Sequence, residues 1–437
     1  VPHVAFVPFT GFRVRDEEMR DLGMAMPGLQ ERAGAIGQLP ALGVLTLAGM
    51  MPASWSASLH ESGTLDLEDL AERVLEGRPD LVAVSALTAS VEEAYRFSAL
   101  VRRAGVPVVL GGLHAAACPE EASRSVDAVV VGDGESSWPV VLQDAERRAL
   151  KPIYRAERPF DLRQAPMPRF DLLGKGNRPR FTVQTQRGCP LACDFCGASR
   201  LLGPWREKPA AKVAEELAAI RAIEPRPVVE LADDNTFAGR RETGPLLEAL
   251  AGSRVRYFTE VDWRVGERPE ILERLAASGC VQVLIGLESL EIRHAGMGPK
   301  AAPMARMMEA VAAIQEAGVA VIGCFVVGAE GETEGSLDRL GAFLESAPLA
   351  DAQLTLQTPF PGTALYDRLR KEGRLLAERG WSSYTLFDVT YQPDTMSVAA
   401  LEAGFRGLVR RVFSAEPAKR RRAIRRAVWA RHPGIAP

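Results

Sequence analysis

Short apolar runs alternate with amphipathic stretches along most of this 437-residue chain. Up to about residue 150 the runs are VAFVPF from Val4, LVAVSAL from Leu81, VPVVLGG from Val106 and DAVVVG from Asp127. Helical periodicity fills the gaps, in LAERVLEG from Leu70 and AYRFSALVRRAG from Ala94. Short strands separated by amphipathic helices predict a doubly wound parallel sheet. Its turns follow the strand ends, at residues 85–90, 111–121 and 132–137, where ligands of open α/β sheets sit.

Residues 151–180 hold five prolines and no sustained period, which predicts an interdomain linker over the surface. A second alternation follows over residues 181–362, with six candidate strands beginning near Phe181, Pro227, Val255, Val281, Val319 and Ala352. Six strand and helix pairs suggest a parallel barrel or partial barrel, whose chemistry sits on the loops after the strands. The expected fold class is therefore α/β: a Rossmann-like domain over 1–150, a linker, a partial (βα)6 barrel, and a mostly helical region over 363–437.

Composition is ordinary for a soluble globular protein, at 47% hydrophobic, 25% charged and net charge −3. Bulk charge points to no partner class. Six cysteines are too sparse for a secreted disulfide scaffold, and VPHVAFVPFTGFRVR at the start has no basic leader before a hydrophobic run. The expected location is the reducing cytoplasm. The longest apolar runs are about half the ~20 residues of a membrane span.

Chemistry concentrates in RGCPLACDFCGAS, residues 187–199, where Cys189, Cys193 and Cys196 have C-x3-C-x2-C spacing. A zinc site would want a second knuckle or a His pair, and neither is nearby. Cys193 and Cys196 alone form a C-x-x-C pair, without thioredoxin-like surroundings. Three thiolates on a loop can bind three irons of a cubane, which leaves the fourth iron open.

With Phe195 before the last cysteine and the loop after the first barrel strand, the motif resembles that of the radical S-adenosylmethionine (SAM) enzymes. The resemblance implies that Cys189, Cys193 and Cys196 ligate a 4Fe-4S cluster whose open iron is chelated by SAM. Cluster reduction would then split SAM to a 5′-deoxyadenosyl radical, with Phe195 facing adenine. It further implies SAM contacts from Asp233, Asp234 and Asn235 after the second strand, and Glu260 and Arg264 after the third. Gly286, Glu288 and Ser289 would contribute from the fourth. Cys118, Cys280 and Cys324 lack cluster-like spacing and read as structural thiols.

The segments LPALGVLTLAGMM, LVAVSALTAS, VVLGGLHAAACPEEA and VVVGDGES resemble, in order, the cobalamin-binding domain of cobalamin-dependent radical SAM enzymes. TPFPGTALYDRL, residues 358–369, is similar to their barrel-closing segment. The likeness spans about residues 35–375. It implies that Gly111, Gly112, Gly132 and Gly134 let backbone approach cobalamin, and that Ser85, Leu87 and Thr88 lie near the lower face of cobalt. The Asp-x-His-x-x-Gly sequence is absent, since His3, His60 and His114 each lack the preceding Asp, so cobalt is expected without a protein histidine.

The function so implied is a methyltransferase moving a methyl from SAM, through methylcobalamin, to an unactivated carbon of a small-molecule, lipid or peptide substrate. The alternatives are a cyclisation, ring contraction or oxidation with the same cofactors, and a noncatalytic cobalamin or SAM sensor. A flavodoxin- or ferredoxin-type electron donor is the expected partner, and nucleic acid is not. The tail carries Lys419, Arg420, Arg421, Arg422, Arg425, Arg426 and Arg431 beside Ile424, Val428 and Trp429. It reads as a solvated helix, with weak docking on an anionic membrane or a phosphorylated substrate as the alternative.

Overall fold

The computed structural model describes residues 1–9, 39–61, 66–174, 180–239, 242–292 and 294–431. Residues 10–38 and 62–65 of the expected first domain, 175–179 of the expected linker and 432–437 of the tail lie outside the described residues.

The first sheet contains β1 (His3–Phe9), β2 (Ser56–Leu59), β3 (Leu81–Ala86), β4 (Val108–Gly111), β5 (Ala128–Val131) and β6 (Ile153–Arg155). Its order is β2-β1-β3-β4-β5-β6, with every pair parallel. Alternate residues of one strand go to opposite faces, as a pleat requires. Val82 and Val84 pack with Leu70, Val74, Phe97 and Val101, while Leu81 and Ala83 pack with Val44, Trp138 and Val141. Helices therefore cover both faces, and the strand order reverses at β1 and β3, where a ligand crevice opens in such sheets.

One boundary moves. Ile153–Arg155, expected in the linker, pairs in register with Val129–Val131 as the outer strand of this sheet. A three-residue edge strand in a proline-rich context has too little alternation to be read from pattern. The segment beyond it also does more than run over the surface, for Leu162 and Phe170 are buried.

The second sheet begins with β7 (Arg180–Val183), and a small antiparallel ribbon, β8 (Gln186–Arg187) with β9 (Arg206–Glu207), follows. The remaining strands are β10 (Val228–Leu231), β11 (Arg256–Val261), β12 (Cys280–Glu288), β13 (Ala320–Val327) and β14 (Asp351–Leu356). The order β14-β13-β12-β11-β10-β7, all parallel, is that of a six-stranded partial barrel. In β11, Tyr257, Thr259 and Val261 are buried on the helix side, which leaves Phe258 and Glu260 for the lumen.

The basic tail is not a solvated helix. Helix Ala415–Ala430 lies against the N-terminal ends of β12, β13 and β14, with Val428, Ile424 and Trp429 packed on Ala320 and Ala350. The Trp429 indole donates to the Val281 carbonyl at 2.8 Å. Arg421 and Arg425 reach the Asp351 carboxylate at 3.3 and 3.5 Å. The apolar stripe of this helix thus packs on the barrel. No helix among the described residues is long and apolar enough to cross a membrane.

Val428 is 4% exposed, so Val428→Asp buries an unpaired charge. The substitution is expected to lower stability by about 2–3 kcal/mol, read as a reduced urea midpoint, whereas Arg426→Ala on the exposed face leaves the midpoint unchanged.

Candidate functional site

The cysteine loop is closed at its neck and held from three sides. Gly188 takes a left-handed φ of +79°, and a Cβ there would lie 2.7 Å from the Gly203 carbonyl oxygen, so only glycine lets the two ends of the loop approach. On one side Ala192 N–H and Asp194 N–H donate to the carbonyls of Gly296 and Ala295 at 3.3 and 3.0 Å. On another, Leu365 N–H donates to the Asp194 carbonyl at 3.0 Å, and Arg368 reaches the Asp194 carboxylate at 3.3 Å. The β8–β9 ribbon forms the third support.

All three loop cysteines are free, with Cys193 buried and Cys189 and Cys196 half-buried. Burial pushes the Cys193 thiol up to about 11, with Lys300 pulling it back. Cys189 is raised as well, chiefly by burial and then by Asp234 and Cys196. Thiols so placed become thiolates when a metal supplies the positive charge. Three free thiols on one clamped loop match the donor set of a cluster with one open iron. Phe195 is half-buried, with its ring 4.6 Å from that of His294 in an edge contact.

The strand ends divide into supports and lumen-facing groups. Asp233 accepts from the backbone N–H of Thr185 and Gln186 at 2.7 and 3.0 Å and from the Thr185 hydroxyl at 2.5 Å. Asn235 exchanges hydrogen bonds with Asp262, and Arg264 makes a bidentate pair with Asp262 at 2.9 and 2.6 Å. Ser289 donates to buried Glu332 at 2.7 Å, knitting the end of β12 to that of β13. These side chains hold neighbouring loops in shape. Asp234 and Glu260 instead face the site. Burial, then Asp233, raises the Asp234 carboxyl to about 6. Glu260 touches solvent through the open lumen yet is ringed by protein otherwise, and burial with Asp234 and Glu230 pushes it up to about 8.

Gly286 has a specific steric role. A Cβ there would come within 2.2 Å of Glu288 Oε1 and 2.6 Å of Lys300 Nζ, so the missing side chain makes room for the Glu288–Lys300 ion pair at 2.5 Å. Glu288 itself holds a left-handed φ of +64°. Lys300, on a short turn after β12, is the cation felt by Cys189, Cys193 and Glu260. Burial works against its charge, and the Glu288 carboxylate more than offsets this. Pattern reading missed Lys300, because a lone lysine in a turn carries no local signal.

A cavity of about 300 Å³ opens between the C-terminal ends of the first sheet and the barrel. It is lined by Ser85, Gly111, Gly112, Gly132 and Gly134 from one side and by Gln184, Arg187, Leu201 and Ala232 from the other. At Gly43 and Gly111 a Cβ would meet nothing within 4 Å, so these glycines widen the space. The volume is in the range of a bound small molecule, enough for a nucleotide-like tail and too small for a whole corrin. The residues therefore fit the tail of cobalamin. Leu87, 42% exposed, and buried Thr88 lie at the next turn, outside the lining.

Residues 33–142 match the family described as B12 binding domain, and residues 183–344 match the radical SAM superfamily. The chain joins a B12-binding domain to a radical SAM barrel. A cobalamin-dependent SAM radical enzyme, OxsB, solved with aqua-cobalamin and SAM, superposes over 92% of this chain with a TM-score of 0.69 at 14% identity. An uncharacterized methyltransferase of Synechocystis sp. is 27% identical over 78% of this chain. Bacteriochlorophyllide d C-12(1)-methyltransferase of Chlorobaculum tepidum is 25% identical over 76% of this chain and 75% of its own length. The chain spans 64% of the Synechocystis relative and 66% of the OxsB chain.

The B12-binding domain carries a further cluster, His114, Cys118 and Glu121, whose ligand atoms lie within 4.8 Å of one another. Its carboxylate is already in use, accepting from Tyr95 at 3.0 Å and from the Trp381 indole at 3.0 and 3.1 Å, and lying 3.3 Å from His114. Trp381 belongs to the region after the barrel, so this cluster ties that region to the B12-binding domain.

Three outcomes follow for the site. Gly111→Leu fills the cavity and is expected to weaken hydroxocobalamin binding at least tenfold in equilibrium dialysis, with iron content after reconstitution unchanged. Gly296→Ala places a Cβ 1.9 Å from the Ala192 carbonyl and is expected to reduce reconstituted iron while cobalamin binding persists. Glu260 is raised from the ~4.3 of an unfolded chain to about 8. The native state then keeps a proton that the unfolded state loses, and Glu260 costs stability as pH rises from about 5 to 8. Urea midpoints of wild type should fall more steeply across that window than those of Glu260→Gln.

Proposed function

We propose that the protein is a cobalamin-dependent radical SAM methyltransferase acting on an unactivated carbon of a small-molecule, lipid or peptide substrate. The observation that carries this reading is the cavity, whose lining runs from Ser85 and Gly132 of the B12-binding domain to Gln184 and Ala232 of the barrel, with Leu201 of the cysteine loop beside them. A cobalamin anchored there by its tail would touch the B12-binding domain and the barrel together rather than lie within one of them. When bound, the reduced cluster and SAM supply the hydrogen-abstracting radical, and cobalamin supplies a carrier for methyl.

The chain's own residues position and shield. Cys189, Cys193 and Cys196 hold iron, and Asp234 stands beside Cys189 with one edge open to the lumen. Lys300 keeps a positive charge beside the thiols, where a bound carboxylate would find it. Glu260, protonated near neutral pH, can donate a hydrogen bond from its carboxyl to a hydroxyl or carbonyl in the lumen. Leu47, Leu113 and Leu201 line the cavity with apolar surface, which excludes water from reactive species.

Anaerobic reconstitution with iron, sulfide, hydroxocobalamin and SAM is expected to yield 5′-deoxyadenosine and S-adenosylhomocysteine under a strong reductant. The triple Cys189→Ala, Cys193→Ala, Cys196→Ala variant should yield no deoxyadenosine, and cleavage retained in that variant would overturn the cluster assignment. With a substrate in hand, a product heavier by one methylene unit supports methyl transfer. An unchanged carbon count would point to ring closure or oxidation instead.

A further inference from the structure

The cysteine loop and the cavity loop of the B12-binding domain share one buried ion network. The turn at residues 132–135 lines the cavity and carries Asp133 and Glu135. Arg187, the residue before the Gly188–Cys189 step, reaches Asp133 at 2.5 Å and Glu135 at 2.7 and 3.1 Å. Arg206 reaches the other Asp133 oxygen at 2.6 Å. Arg187 and Arg206 are themselves directly paired across the β8–β9 ribbon, so both strands of the loop's neck grip one aspartate. All four side chains are 15% exposed or less, with two positive and two negative charges in balance.

The network is also braced from outside. Asp133 accepts from Phe160 N–H at 2.7 Å, Arg206 donates to the Leu202 carbonyl at 2.7 Å, and Arg187 donates to Gln184 at 3.1 and 3.2 Å. Burial by itself would raise the Asp133 carboxyl, but Arg206 and Arg187 outweigh it and hold the group below the usual carboxylate range. Buried ion pairs are an inefficient source of net stability, because desolvation consumes most of the attraction, and their best-attested use is to set geometry. Here the geometry in question is that of two cofactor loops.

We propose that the Arg187–Asp133–Glu135–Arg206 network is a positioning device that links filling of the cavity to the shape of the cysteine loop, so that cobalamin and the iron–sulfur cluster each tighten binding of the other. A ligand that shifts loop 132–135 shifts Asp133 and Glu135 with it, and Arg187 carries that shift to the backbone next to Cys189. Linkage of this kind is reciprocal by thermodynamic necessity. The inference rests on the reading of the cavity as a cobalamin site.

Equilibrium dialysis of hydroxocobalamin against the full chain, cluster-free and cluster-reconstituted, tests it without any turnover. Wild type is expected to bind about fivefold or more tighter when the cluster is present. Arg187→Met should bring that ratio to near one, and Arg187→Lys, which keeps the charge but not the two-pronged contact, should recover part of it. Glu135→Gln provides a milder lesion of the same network if Arg187→Met does not fold, and it too should shrink the ratio. Binding that is equally tight with and without the cluster in wild type, or a full ratio retained in both Arg187→Met and Glu135→Gln, would overturn the coupling and leave the cobalamin site standing. Absence of hydroxocobalamin binding in every state would overturn both.

Discussion

Two arginines at the neck of one loop hold a single aspartate on another domain, and the rest of the site depends on that contact. It fixes the cavity wall formed by Gln184, Arg187 and Leu201 against Gly132 and Gly134 through charged groups of both domains. Placing four charges where water is largely excluded is costly, and the cost falls only if each charge finds its partners. Asp133, Glu135, Arg187 and Arg206 therefore either form together or strongly disfavour the docked arrangement. That all-or-none character is what makes such a contact a good locating pin.

Around the pin, further supports shape the site. Asp233 holds the backbone leading into the cysteine loop, and Asp262 holds Asn235 and Arg264 at the next strand end. Gly286 leaves space for the Glu288–Lys300 pair, and Lys300 sets the charge felt by two cysteines. Only a few polar groups, Asp234 and Glu260 among them, are left facing the lumen. At the other end of the barrel, Trp429, Val428 and the Asp351 ion pairs fasten the basic helix across the floor. The chemistry thus has its open side toward the cavity.

Legibility followed the range of the interactions. The alternation of strands and helices is local, and it made strands β1, β3, β4 and β5 of the first sheet and β7 and β10–β14 of the barrel readable, while the short edge strands β2 and β6 were not. The spacing of Cys189, Cys193 and Cys196 is local as well, as are the glycines at 111, 112, 132 and 134. The strand-end residues could be named from the sequence, but not their contacts. Asp233, Asn235 and Ser289 proved to be spent on neighbouring loops, because a carboxylate or hydroxyl at a strand end is equally suited to bracing backbone and to meeting a ligand.

What the amino-acid order by itself determined is the set of elements and the donor atoms: periodicity decides helix or strand, and eight residues suffice to place three thiols on one loop. What only the tertiary structure decided is which charges meet. Arg187 and Asp133 are 54 positions apart, and Arg425 and Asp351 are 74 apart. No period or spacing connects such pairs, so an arginine-rich tail reads the same whether it faces water or a barrel floor. The partner that neutralises a charge is chosen by how sheets and helices pack, and that choice turned a tail into a plug and a loop's neck into a clamp.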